Sequence, residues 1–123
     1  MIGHREAVFW GLMHDAAEAY YGDMISPLKA LIPEFETFEN RGAEAIRDKF
    51  SIPYDSGINH TVHIADKTLA SLEGDAITTV PSSLWDTRYT APYDIFSLDP
   101  DFHVWGPKKA RTEFLKAFHT FTS

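Results

Sequence analysis

Residues 7–22 read Ala7-Val8-Phe9-Trp10-Gly11-Leu12-Met13-His14-Asp15-Ala16-Ala17-Glu18-Ala19-Tyr20-Tyr21-Gly22. Val8, Phe9, Leu12, Met13, Ala16, Ala17 and Tyr20 recur at steps of three and four, the period that lines one face of a helix, and Gly22 offers a stop. The spacing predicts a helix near 6–21. Working outward, Phe35, Phe38, Ile46 and Phe50 form a second periodic segment between Pro33 and Pro53. A third begins after Gly57 and carries Ile58, Val62, Ala65, Leu69 and Leu72, with Gly74 placed to end it near residue 73. The last opens on Gly106-Pro107, a favourable first-turn proline, and carries Ala110, Phe114, Phe118 and Phe121. Four helices with short joins predict an all-α helical bundle.

The chain has 123 residues, enough for one domain spanning 1–123. Hydrophobic residues at 44% and aromatic residues at 14% supply a packed interior, which excludes intrinsic disorder. The 18 acidic residues outnumber the 11 Lys and Arg, for a net charge of −7. A surface of that sign repels phosphate backbones, so a nucleic acid polymer is not an expected partner. A small phosphorylated substrate remains compatible, because a bound cation reverses the local field. With no cysteine, disulfides, thiolate zinc sites and cysteine nucleophiles are excluded. The longest apolar run, Ala7 to Met13, is too short to span a membrane and lacks a signal-peptide cleavage pattern. A cytoplasmic protein with no membrane partner is the expectation. Residues 75–104 break the helical pattern, with Pro81, Pro92 and Pro100 among Trp85, Tyr89, Tyr93, Phe96, Phe102 and Trp105. This stretch reads as a long connection pinned to the body by its aromatics.

The polar residues of the first segment carry the chemistry. On a helix Glu18 neighbours both Asp15 and His14, which gathers one imidazole and two carboxylates above the small side chains of Ala16 and Ala17. Imidazole nitrogen and carboxylate oxygen suit Mn, Co, Zn or Fe, although a solvated polar face yields the same cluster. Asp66 adds weight, because it falls on the seam of Val62, Leu69 and Glu73. A carboxylate inside an apolar stripe must be protonated, paired or on a metal. Lys67 or Arg47 could pair with it; alternatively it faces His14 and Asp15 across a helix interface, as in bundle metal sites.

These residues occur in an order that resembles a family. His14-Asp15, followed by Asp66 within Val62-His63-Ile64-Ala65-Asp66, is similar to the HD-domain metal-dependent phosphohydrolases. The fuller string from His14 through Gly22-Asp23 to Pro27-Leu28-Lys29 resembles the 5′-deoxynucleotidase branch and its phage-borne and prokaryotic relatives, which often read HDASEAYxGDxPxPxK. Leu69, Ala70 and Glu73 continue the likeness. So do Trp105-Gly106-Pro107, Ala110, Phe114, Leu115 and Phe118, against a WxPxxAxxxFLxxF pattern.

The resemblance implies an HD-domain-like bundle that hydrolyses nucleotides, with (deoxy)nucleoside 5′-phosphates as substrates. It implies one divalent ion (Mn, Co, Mg, Zn or Fe) on His14, Asp15 and Asp66. Glu18 matches the acidic residue that handles the attacking water or leaving group, and Asp23 a further active-site carboxylate. Lys29 and Glu73 match the pattern with supporting roles. The family's first His, in an EHS-like context, lies upstream of the first helix here, so the chain is N-terminally short relative to the family; His4 does not match that position. His63 stands one turn before Asp66, either near the ion or on the surface, while His60, His103 and His119 carry no motif. A homodimer is expected, since upstream helices removed from a bundle expose apolar surface. The alternative function is a truncated HD-like domain without turnover, acting as a metal-binding or protein-interaction module.

Overall fold

The computed structural model describes residues 3–77, 99 and 101–123, and among them the protein is all-α, with no strand. Six helices follow in order among these described residues: α1 His4–Met13, α2 Glu18–Tyr21, α3 Ser26–Lys29, α4 Pro33–Phe50, α5 Ser56–Ile77 and α6 Pro107–Thr122. Trp85, Tyr89, Tyr93 and Phe96, expected to pin the long connection, lie outside the described residues.

Helix ends follow the local chemistry. Asp55 Oδ1 accepts the Ile58 N–H at 2.9 Å, which caps the start of α5. Helix α4 closes on Ser51 at φ 54°, with the Ile52 N–H returning to the Arg47 carbonyl at 2.9 Å. That left-handed closure turns Ile52 into the core, and Pro53 prevents continuation. Pro107 occupies the first turn of its helix, as expected, and Pro33 likewise lies in the first turn of α4 rather than preceding it.

The sequence misplaces two boundaries. Gly74 does not end α5, which continues to Ile77 with Gly74 buried inside it. A helical glycine costs about 1 kcal/mol against alanine, but it stops a helix only where a left-handed cap forms. The first helix is also not continuous over 6–21. It ends at Met13, and residues 14–17 form tight turns: Ala16 N–H bonds to Met13, Glu18 to Asp15 and Ala19 to Ala16, each closing on the third residue back.

Helix α1 is central, packing on both α5 and α6, while α3 lies on α4. Phe9, Trp10 and Met13 of α1 are buried together with Ile52, Ile58 and Val62. Aromatic rings tie three helices at one end: Phe9 stacks on Phe121 at 4.9 Å, and Phe50 meets Phe9 and Phe118 edge-on at 6.1 and 5.4 Å. Arg5 reinforces this end by donating to the Phe121 carbonyl at 2.8 Å. No helix among the described residues is long and apolar enough to cross a membrane.

Candidate metal centre

The α1–α5 contact brings Asp66 to the end of α1. His14 Nε2 lies 3.3 Å from Asp15 Oδ2 and 3.6 Å from Asp66 Oδ1, and donor atoms of the three residues all fall within 4.8 Å of one another. The other ring nitrogen, Nδ1, is 2.7 Å from the Gly11 carbonyl oxygen. A carbonyl only accepts, so Nδ1 carries the proton and donates. This bond also uses one of the carbonyls left unsatisfied at a helix end, which is part of why α1 stops here.

The consequence is electrostatic. With its proton on Nδ1, a neutral His14 aims the Nε2 lone pair at two carboxylates. Nε2 is buried and makes no hydrogen bond, although both carboxylates are within ion-pair distance. Three acceptors converging on one point are mutually repulsive unless a proton or a cation lies between them. A divalent ion with bonds of about 2.0–2.2 Å holds adjacent donors roughly 3.0–3.5 Å apart, close to the two His–Asp edges observed. The donor set, one imidazole and two carboxylates, therefore fits such an ion in its chemistry and along its two His–Asp edges. The anchored Nδ1–H is the usual device for orienting a ligating imidazole.

Asp66 is not buried as the apolar seam suggests: its side chain is 49% exposed. Its face of α5 borders an open cleft of about 360 Å³ against α1, lined by Val8, Gly11, His14, Ala65 and Leu69 among others. Because solvent reaches this carboxylate, its place on the seam does not by itself demand a Lys or Arg partner. Arg47, one of the two cations considered for it, instead hydrogen-bonds Asn59 at 2.9 Å and lies over Trp10.

Glu18 and Asp23 are placed differently from the trio. The tight turns at 14–17 rotate Glu18 out of the His14 register of a continuous helix. In that geometry residues three apart eclipse, so Glu18 aligns with Asp15 instead. Burial pushes the Glu18 carboxyl above its usual 4.5, and the charges of Asp15 and Asp23 add to the rise while Lys29 opposes it. Gly22, at φ 76°, then reverses the chain, and Asp23 emerges exposed, 3.5 Å from Lys29 Nζ. Lys29 also bonds Glu39 Oε2 of α4 at 2.9 Å, and chiefly that bond holds its ammonium above its normal pKa. Glu39 was not legible in the sequence, since its role depends on α3 lying on α4. Among the described residues, neither Glu18 nor Asp23 belongs to the cluster at ligand distance.

The 18–21 segment is held against α4 by close packing. A Cβ added at Gly42 would overlap the Tyr21 hydroxyl and lie 2.8 Å from the Ala17 methyl. The Tyr21 hydroxyl donates to the Phe38 carbonyl at 3.2 Å, and its ring meets Phe35 edge-on at 6.0 Å.

Among curated proteins, the chain is similar to the uncharacterized protein YfdR of Escherichia coli (strain K12), 30% identical over 106 residues. The alignment covers 83% of this chain and 58% of YfdR. An uncharacterized protein of Rhodobacter capsulatus is 27% identical over 111 residues, 88% of this chain and 57% of that protein. The chain thus spans a little over half the length of these curated relatives. No family model matches the chain, and no solved structure does.

Proposed function

We propose that the protein is a divalent-metal-dependent phosphohydrolase of the HD-domain type, acting on nucleotides, with (deoxy)nucleoside 5′-phosphates as substrates. One observation carries the reading: an oriented imidazole nitrogen that makes no hydrogen bond and faces two carboxylates from separate elements. His14, Asp15 and Asp66 would hold the ion, which when bound supplies Lewis-acid polarisation of a phosphoryl oxygen and acidifies a water. Glu18, one tight turn beyond Asp15, accepts and returns the proton. Its raised pKa brings that carboxyl nearer the range useful for proton transfer at neutral pH. Lys29, fixed between Asp23 and Glu39, holds Asp23 in place at the edge of the site.

The alternative, a metal-binding or protein-interaction module without turnover, draws support from the cleft wall. Its described lining contains no Lys or Arg to receive a phosphate. Inorganic phosphate release from deoxynucleoside 5′-phosphates with Mn²⁺ or Co²⁺, run beside calorimetric metal titration, separates the two. Hydrolysis supports the enzyme. Metal uptake without turnover supports the module. An Asp66→Ala variant with unchanged metal stoichiometry overturns the ligand set.

The reading also includes a cytoplasmic location and a homodimer. Tyr20, Ile25, Leu31 and Phe38 are large apolar side chains exposed within one short stretch, and such surface favours self-association.

A further inference from the structure

A polar pocket of about 670 Å³ opens where α4 meets the start of α5. Its described lining residues all come from the unbroken stretch 40–59, and Asn59 lies about 27 Å before Ile77 along α5. Asn40, Glu44 and Asp48 follow at four-residue steps on one face of α4, opposite Pro53, Tyr54 and Asn59. Half-buried Arg47 lies among them. Its Cζ is 4.1 Å from the ring centroid of Trp10, which is buried, and 5.1 Å from that of Tyr54, which is 74% exposed. The guanidinium makes one side-chain hydrogen bond, from Nη2 to Asn59 Oδ1 at 2.9 Å, and its Nε is buried with none. Most of its N–H groups are therefore unspent. Glu44, one turn back on the same helix, is the ordinary ion-pair partner for such a residue. Among the described residues, however, no ion pair involves Arg47, Glu44 or Asp48. The rings and Asn59 hold the guanidinium away from the carboxylates, so the pocket keeps opposite charges apart.

We propose that this pocket binds a free basic α-amino acid, arginine or lysine, with the ligand carboxylate on Arg47 and its cationic groups on Glu44 and Asp48. None of the metal-centre residues takes part. A guanidinium fork matches a carboxylate through two parallel N–H bonds, and stacking on Trp10 fixes the plane in which it is presented. A simple anion would meet two carboxylates on the same wall, and a simple cation would meet Arg47. One cation and two carboxylates leave the pocket with an excess of negative charge, which matches a ligand carrying one carboxylate and two cationic groups. The exposed ring of Tyr54 adds a face on which a side-chain cation or its alkyl stem can rest. The volume lies within the range of small-molecule sites.

The test uses the full chain without metal. Burial protects the Arg47 Nε–H from solvent exchange, so its signal in ¹⁵N spectra is the probe, assigned by through-space contact with the Trp10 ring. L-Arginine and L-lysine at millimolar concentration should shift it. Agmatine, which is arginine without the carboxylate, should bind about 10- to 150-fold more weakly than arginine, the loss of a charge-assisted hydrogen bond. Citrulline, which has a neutral urea in place of the side-chain guanidinium, should be roughly 1.5- to 5-fold weaker, the scale of an exposed ion pair. A protein carrying Glu44→Gln and Asp48→Asn, both at exposed positions, should no longer distinguish arginine from citrulline. A signal that neither arginine nor lysine moves overturns the site, as does an agmatine or citrulline response equal to that of arginine. So does a preference for arginine over citrulline that survives in the double variant. Acetate or inorganic phosphate binding as tightly as arginine would show a simple anion site and also overturn the proposal.

Discussion

Replacing Gly42 by alanine sets two opposed effects against each other. In the middle of α4 the change gains helix propensity of about 1 kcal/mol. Against it, the new methyl overlaps the Tyr21 hydroxyl and comes within 2.8 Å of the Ala17 methyl. The Tyr21 ring can swing away, but only by giving up its hydrogen bond to Phe38, about 1 kcal/mol, and its edge contact with Phe35, about 0.5–1.5 kcal/mol. Ala17 is buried and has no side-chain torsion to adjust, so its backbone must move, at the usual overpacking cost of about 1–3 kcal/mol. The losses exceed the gain, for a net destabilisation of about 1.5–4.5 kcal/mol. Urea unfolding followed by circular dichroism measures this directly. The same titration in a Tyr21→Phe background isolates the hydroxyl, and Gly42→Ala should cost about 1 kcal/mol less there. A neutral or stabilised Gly42→Ala protein would mean that propensity acts unopposed and that the Glu18 segment does not rest on α4.

Glu18→Gln should leave metal uptake intact and lower phosphate release by about 10²- to 10⁴-fold, the range of general acid–base assistance, read as phosphate release with Mn²⁺. Its stability effect has a definite sign. Because the folded state raises this carboxyl's pKa, Glu18 favours the fold below its unfolded value near 4.5, and that contribution is lost as pH rises through the folded pKa. Without metal, Glu18→Gln should therefore melt higher than the parent at pH 7 and with no advantage at pH 3. Asp55→Ala removes the cap on the Ile58 N–H and should cost about 1 kcal/mol in urea titration, with α5 and hence Asp66 fraying first in hydrogen exchange. Light scattering at micromolar concentration should give a dimer mass, and Leu31→Glu, on the exposed apolar stretch, should shift it to monomer.

The all-α architecture follows from residues that repeat at three and four, because a helix satisfies its backbone locally and needs only one apolar face. Pro107 acts within a few bonds, so the start of α6 was legible as well, whereas the Asp55 cap of α5 was not read from the sequence. The pairing of His14-Asp15 with Asp66 was legible as one of two arrangements for a carboxylate on an apolar seam. Choosing between them required the α1–α5 packing, and the same packing shows Asp66 at an open cleft rather than in the core. The break at His14 was hidden. It depends on the His14 ring taking the nearby Gly11 carbonyl, and on two contacts made across the fold, Ala17 over Gly42 and Tyr21 reaching Phe38. Glu39 beside Lys29 was hidden for the same reason. Periodicity reports what each segment needs from its surroundings, whereas the register of a polar side chain within a site is set by whichever neighbouring helix it packs against.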